Sequence, residues 1–242
     1  MILLDGHTEK SFGLIPLRTH RHPIIPDIQR KTIKIPGMIG IHDTKFELNE
    51  KYFEFEFAVK EQDETMVQAK LNEFVAFLCD DVGHPRDIEL IFDYEPDKYY
   101  TVKLNNSIDP ERIRGFSRFS VSFVASDPHK YSISPAKVDL VNVIYNRGNC
   151  KTTGIITIEI TEETDHLEVT LLNTGEFLYI DDNFDTGDIV VIDLEKEYIT
   201  KNGHSAMPNL YLESDFFELP VGEFEITISS GNGILEFRER WL

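Results

Sequence analysis

A chain of 242 residues with 41% hydrophobic and 28% charged side chains has the composition of a folded protein of one large or two ordinary domains, not of a disordered chain. Its net charge of −19 argues against a nucleic-acid grip, which needs clustered Lys and Arg. Two cysteines, Cys79 and Cys150, make neither a disulfide framework nor a Cys-x-x-Cys pair, so free thiols in a reducing compartment are expected.

In chain order, "MILLDGHTEK" has an apolar start that stops at Asp5, which does not read as a signal peptide. No apolar run approaches the ~18 residues of a membrane helix. "KTIKIPGMIGIHD" reads as a short strand broken by Pro36-Gly37, because Pro has no N–H to give a sheet. Gly37 and Gly40 then allow a tight turn. "KFELNEKYFEFEFAVK" predicts a hairpin, with Asn49-Glu50 as its turn. Phe53, Phe55, Phe57 and Val59 alternate there with Glu54 and Glu56, the mark of a half-buried strand.

"DETMVQAKLNEFVAFLCDD" predicts the one convincing helix. Asp63 is the expected N-cap, and Val67, Leu71, Phe74, Val75 and Leu78 form an apolar stripe to lay on a sheet. "DIELIFDY", "KYYTVKLNN" and "GFSRFSVSFVAS" are three further strands. Strands, one helix and strands again make this part an α+β unit.

Alternation in the last of these stops at Asp127-Pro128. Up to Ser134 the chain holds 17 Lys/Arg against 22 Asp/Glu, and beyond it 7 against 21. That shift places a boundary here, with domains at 1–134 and 135–242. The second part is nearly all strand: "VDLVNVIY", "GIITIEI", "HLEVTLLN", "EFLYI", "GDIVVIDL", "EFEITISS" and "GILEFRE", with turn signals such as Asn202-Gly203 between them. Two packed antiparallel sheets, a sandwich or a jelly roll, are expected.

Chemical signals are sparse. In "DDNFDTGD", Asp181, Asn183 and Asp185 take positions one, three and five of a calcium loop. Thr186 and Ile192 stand where Gly and a bidentate Glu are needed, so a solvated turn is expected. His20 and His22 share a side of an extended segment, but no further metal ligand is nominated. Asp127 and His129 would share a side too, without a nucleophile beside them. There is no Gly-x-Ser-x-Gly elbow and no Gly-rich phosphate loop, and acids in this number pair by chance. No catalytic residue, metal or cofactor is expected, and the chain does not read as an enzyme.

The order of motifs is more telling than any one of them. Ile35, Pro36, Gly37 and Gly40, then a Phe-rich strand and one helix, then a strand closing on Asp127, Pro128 and Tyr131, resemble the distal tail protein family of siphophages of Gram-positive bacteria and related prophages. "NRGNCKTTGIITI", "GDIVVIDLEKEYITKNG", "SDFFELPVGEFEITI" and the terminal "FRERWL" with Trp241 extend the resemblance over the whole chain. Met38-Ile39 and Glu223 depart from the usual pattern.

The resemblance implies a mainly β protein, with an N-terminal tail-tube-like α+β domain and a C-terminal galectin-like β-sandwich. It implies a structural protein of the virion tail tip, made in the host cytoplasm. Six copies would form a ring joining tail tube protein to tail-tip, lysin-like protein, with DNA passing through the lumen. The sandwich would hold baseplate or receptor-binding components. An acidic ring that conducts DNA without gripping it fits the net charge. The alternative is a carbohydrate- or cell-wall-binding module. Its aromatic platform would have to come from Trp241, and the galectin sugar-binding residues are absent.

Overall fold

The computed structural model describes residues 2–113 and 115–242, without the side chains of residues 18–20 and 113. The chain divides into two compact units. One is residues 1–130 with Leu242, and the other is residues 131–241.

The first unit runs β1 (Ile2–Leu4), β2 (His7–Thr8), a 3-10 turn (Glu9–Phe12), β3 (Leu14–Arg21), β4 (Ile28–Ile33), β5 (His42–Leu48), β6 (Lys51–Lys60), α1 (Glu64–Leu78), β7 (Ile88–Phe92), β8 (Glu95–Leu104), β9 (Glu111–Ile113) and β10 (Phe116–Ala125). Its main sheet has the order β2-β1-β7-β8-β10-β6-β3, with β9 beside β10. The longest pairing is antiparallel β6 with β10, Phe116↔Lys60 through Ala125↔Lys51. Phe53, Phe55 and Phe57 of β6 and Phe119, Val121 and Phe123 of β10 face one side of it and are buried.

Helix α1 forms as its spacing predicts. The Asp63 carboxylate accepts from Met66 N at 2.9 Å and caps the first turn. Val67, Leu71, Phe74 and Leu78 are buried. Phe74 meets Phe57 and Phe119 at ring distances of 6.3 and 6.4 Å, so the stripe lies on β6 and β10. Val75, counted in the stripe by sequence, is exposed, because it lies on the solvent shoulder of the helix.

The predicted hairpin of β5 with β6 does not form. A strand has two edges, and β6 commits both, to β10 and to β3. β5 pairs with β4 instead, in a two-stranded ribbon of its own. Strands β1 to β3 were not foreseen. β1 and β2 are too short to show a period, and Pro16 interrupts the pattern of β3.

The second unit takes β11 (Lys130–Ser132) from its Tyr131 onward, then β12 (Ala136–Asp139), β13 (Ile144–Asn146), β14 (Gly154–Glu159), β15 (Thr164–Leu171), β16 (Phe177–Phe184), β17 (Ile189–Asp193), β18 (Tyr198–Lys201), β19 (His204–Ser205), β20 (Gly222–Phe224), β21 (Ile226–Ile228), β22 (Asn232–Phe237) and β23 (Arg240–Trp241). One sheet has the order β12-β22-β14-β17-β18-β19, and another β16-β15-β21, with β13 paired to β20. Ile156, Ile192 and Leu235 from the first sheet and Val169, Ile180 and Ile226 from the second share one buried core, the arrangement of a β-sandwich.

Three segments differ from their sequence reading. "VDLVNVIY" is two strands, since residues 140–143 turn away where β12 leaves β22 and β13 takes up β20. "EFEITISS" likewise breaks at Glu225 between β20 and β21. In "DDNFDTGD" the first four residues continue β16, and the turn is confined to residues 185–188, closed by Asp188 N donating to Asp185 O at 3.1 Å. The molecule is mainly β with one α-helix among the described residues.

Candidate assembly surface

The ribbon of β4 and β5 belongs to neither edge of the main sheet. Its register is Ile28↔Leu48, Gln29↔Glu47, Arg30↔Phe46 and Lys31↔Lys45, then a shift, then Thr32↔Asp43 and Ile33↔His42. Opposed residues of an antiparallel pair point to the same face. Ile28, Leu48 and Phe46 therefore share one face, with Arg30 among them. Gln29, Glu47, Lys31 and Lys45 take the other.

The charged face is internally tied. Glu47 lies 2.7 Å from Lys31 Nζ and 2.8 Å from Lys45 Nζ. Hydrogen bonds from these two ammonium groups hold the Glu47 carboxyl down to about 2, well below the usual carboxylate range. Arg30 pairs with Asp43, and the Thr44 hydroxyl donates to Lys31 O at 2.9 Å, stitching the register shift.

The apolar face is uncovered. Phe46 is 61% exposed and Ile28 54%. Ile24, Ile25, Ile33, Ile35, Met38, Ile39, Ile41 and Leu48 are exposed as well. Within one short segment this far exceeds the scattered exposed apolar residues of a normal surface. An isolated two-stranded ribbon is marginal in water, so covering this face is the simplest way to stabilise it. Charge sets the ribbon apart too. Residues 28–48 hold Arg30, Lys31, Lys34 and Lys45 against Asp43 and Glu47, a small positive excess in a chain of net charge −19.

The root of the ribbon is fastened to the core. Asn49 N donates to Asp27 O at 2.9 Å, closing the two strands. Lys51, 2% exposed, donates from Nζ to Ile24 O at 2.9 Å and to the Tyr100 hydroxyl at 3.0 Å. Its ammonium also lies 4.8 Å from the centre of the Tyr100 ring. Burial pushes the Lys51 amine down to about 8, with Lys130 acting in the same sense and Glu95 opposing. Glu95 is itself engaged by Lys130 at 2.7 Å and Lys98 at 3.1 Å.

The residues singled out by sequence fall in separate places. Pro36, Gly37 and Gly40 lie in the loop joining β4 to β5, where Gly37 and Gly40 have φ of +87° and +102°, a region closed to most side chains. Asp127 and Pro128 follow the end of β10. The Asp127 carboxylate accepts from His129 N at 3.2 Å and lies 2.5 Å from His129 Nδ1, a side-chain-closed turn. Tyr131 lies on β11 and Trp241 on β23, two strands that pair, and the Arg240 guanidinium is 5.9 Å from the Tyr131 ring centre.

The side chain of His20 lies outside the described residues. His22 Nε2 is 2.8 Å from the Tyr94 hydroxyl. Among the described residues no group of three or more His, Cys, Asp or Glu is placed to hold a metal ion. Sequence reasoning missed the ribbon as a surface. The run of Ile24, Ile25, Ile28, Ile33, Ile35, Ile39 and Ile41 between basic residues was the signal that could have found it.

Comparison with known proteins gives a consistent picture. Residues 8–125 match the family model of the phage tail protein RIFT-related domain. Residues 147–241 match that of the siphovirus-type tail component, C-terminal domain. The distal tail protein of Bacillus phage SPP1 is 27% identical over 138 residues, 55% of this chain and 54% of that protein. The match thus spans about half the length of that curated relative. The crystal structure of SPP1 Dit, described as a paradigm of the hub adsorption apparatus in phages infecting Gram-positive bacteria, aligns with a TM-score of 0.83. That alignment covers 100% of this chain and 98% of the other at 21% identity, and it establishes a common fold. With two tail-protein models in order along the chain and a distal tail protein as a sequence relative, the chain belongs to the siphophage distal tail protein family.

Proposed function

We propose that this protein is a structural hub of the phage tail tip, a homohexameric ring that joins the tail tube to tail-tip, baseplate and receptor-binding components. Residues 1–134 form the ring, and residues 135–242 form an outward sandwich of galectin type that holds those components. DNA passes through the lumen without being gripped. The role is one of assembly, not catalysis.

The observation that carries this reading is the uncovered apolar face of Ile28, Phe46 and Leu48 on a basic ribbon of an acidic chain. Such a face is satisfied when each copy lays its ribbon on an apolar patch of the next, with acids of that copy beside the ribbon's Arg and Lys. A heterologous contact whose rotation closes generates a ring. Membership of the distal tail protein family supports the same reading, as does the hub role described for SPP1 Dit. In this reading Pro36, Gly37 and Gly40 shape the ribbon tip. Asp127 and Pro128 end the last ring strand, and Tyr131 and Trp241 secure the entry to the sandwich.

Light scattering on the concentrated full chain tests it. Six copies of 27.9 kDa give about 167 kDa. A mass that stays at one copy at high concentration speaks against the hub.

A further inference from the structure

A cavity of about 470 Å³ opens in the first unit, lined by Ile2, Glu9, Leu17, Phe55, Phe92 and Tyr94 among others. Its size is within the ordinary range of about 300–1,000 Å³ for small-ligand sites. The unusual member is Glu9. Its side chain has no solvent exposure, and its Oε2 accepts from Ile2 N at 3.3 Å. Its other oxygen, Oε1, is buried with no hydrogen-bond partner. A buried polar oxygen without a donor is costly, and a native structure leaves one where something supplies the donor. The walls beside it are aromatic. Phe92 and Tyr94 stack at 5.1 Å, and Phe55 lies 6.2 Å from Phe92. Glu56, which is held by Arg118 at 2.6 Å, and Asp93 also line it. A carboxyl oxygen among aromatic rings is the environment that selects an organic cation, which donates hydrogen bonds and favours ring faces.

We propose that this cavity, built around Glu9 and walled by Phe55, Phe92 and Tyr94, binds an alkylammonium or guanidinium group. The group comes from a free small amine or from a Lys or Arg side chain of a neighbouring copy. The cavity is built within one unit of one chain, so binding of a free cation there does not require the proposed ring.

The test is calorimetric and NMR titration of the full chain with n-butylammonium and n-butylguanidinium, with n-butanol as the neutral control. Both cations saturate a site whose shifts include Ile2 and Leu17, and butanol does not. Glu9→Gln keeps the shape and weakens binding about tenfold to a hundredfold, the range for losing a charged hydrogen bond. Leu17→Phe, which fills the space, blocks binding and covers the case in which Glu9→Gln fails to fold. Light scattering at saturating butylguanidinium separates the sources. A fall in assembly size assigns the cation to a neighbouring copy, and unchanged assembly assigns it to a free amine. The proposal is overturned if neither cation binds, or if binding survives both Glu9→Gln and Leu17→Phe.

Discussion

The Lys51 ammonium, at the first position of β6, donates to the Ile24 carbonyl at 2.9 Å and so ties the segment before the β4–β5 ribbon to the core. The same group is buried and shares Tyr100 as its second acceptor. One side chain thus links ribbon placement to proton binding.

That link has a definite sign. The folded protein lowers the Lys51 amine from 10.5 to about 8, so between these values the unfolded chain binds more protons. The stability cost of the buried charge is present in full below about pH 8 and is relieved as pH rises toward 10.5. Denaturant unfolding of the native chain and of Lys51→Met across pH 7 to 9.5 checks this. The native chain gains stability relative to the variant with rising pH. The comparison stops there because Tyr94, raised to about 12 by burial, and Tyr100, raised in the same way, reverse the slope at higher pH.

Phe46 lies on the open face of the ribbon, 61% exposed and outside the buried core of the first unit. Phe46→Asp therefore leaves thermal unfolding within about 0.5 kcal/mol of the native value, as for a surface change. Assembly, read by light scattering, falls to the 27.9 kDa of one copy. Loss of fold together with assembly would place Phe46 in the structure of the unit instead.

Phe74 is the anchor of α1, with no exposure and rings of Phe12, Phe57 and Phe119 around it. Phe74→Ala costs about 3–5 kcal/mol by opening a cavity between helix and sheet. Urea unfolding followed by far-ultraviolet circular dichroism measures it.

Asp63→Ala removes the N-cap bond to Met66 N and costs about 1 kcal/mol. The cap is remote from the ribbon in sequence and in pairing, so assembly at a given concentration stays as in the native chain. Sedimentation velocity at matched concentrations reads this out.

Much of the fold was legible because local chemistry dictated it. Asp63 and the spacing of Val67, Leu71, Phe74 and Leu78 specified the helix, and the alternation through Phe53, Phe55 and Phe57 specified β6. Pairing was not legible. Alternation in "KFEL" reveals a strand but not its partner, and adjacency suggested β6 where long-range pairing with β10 and β3 had taken both edges. Breaks such as residues 140–143 were hidden because "VDLVNVIY" keeps a strand-like composition through the turn. The surface was missed for a related reason. Phe46 and Leu48 lie in a stretch whose alternation predicts a hairpin arm beside β6, and only the register shows them, with Ile28, on the open face of a separate ribbon. The cavity at Glu9 was beyond sequence reading, since Glu9 and Phe92 meet only through the fold.

The central claim is ring assembly, and electron microscopy of the concentrated full chain tests it most directly. The account predicts six-fold rings in class averages, lost in Phe46→Asp. Monomers alone, or particles of two-fold symmetry only, would contradict it.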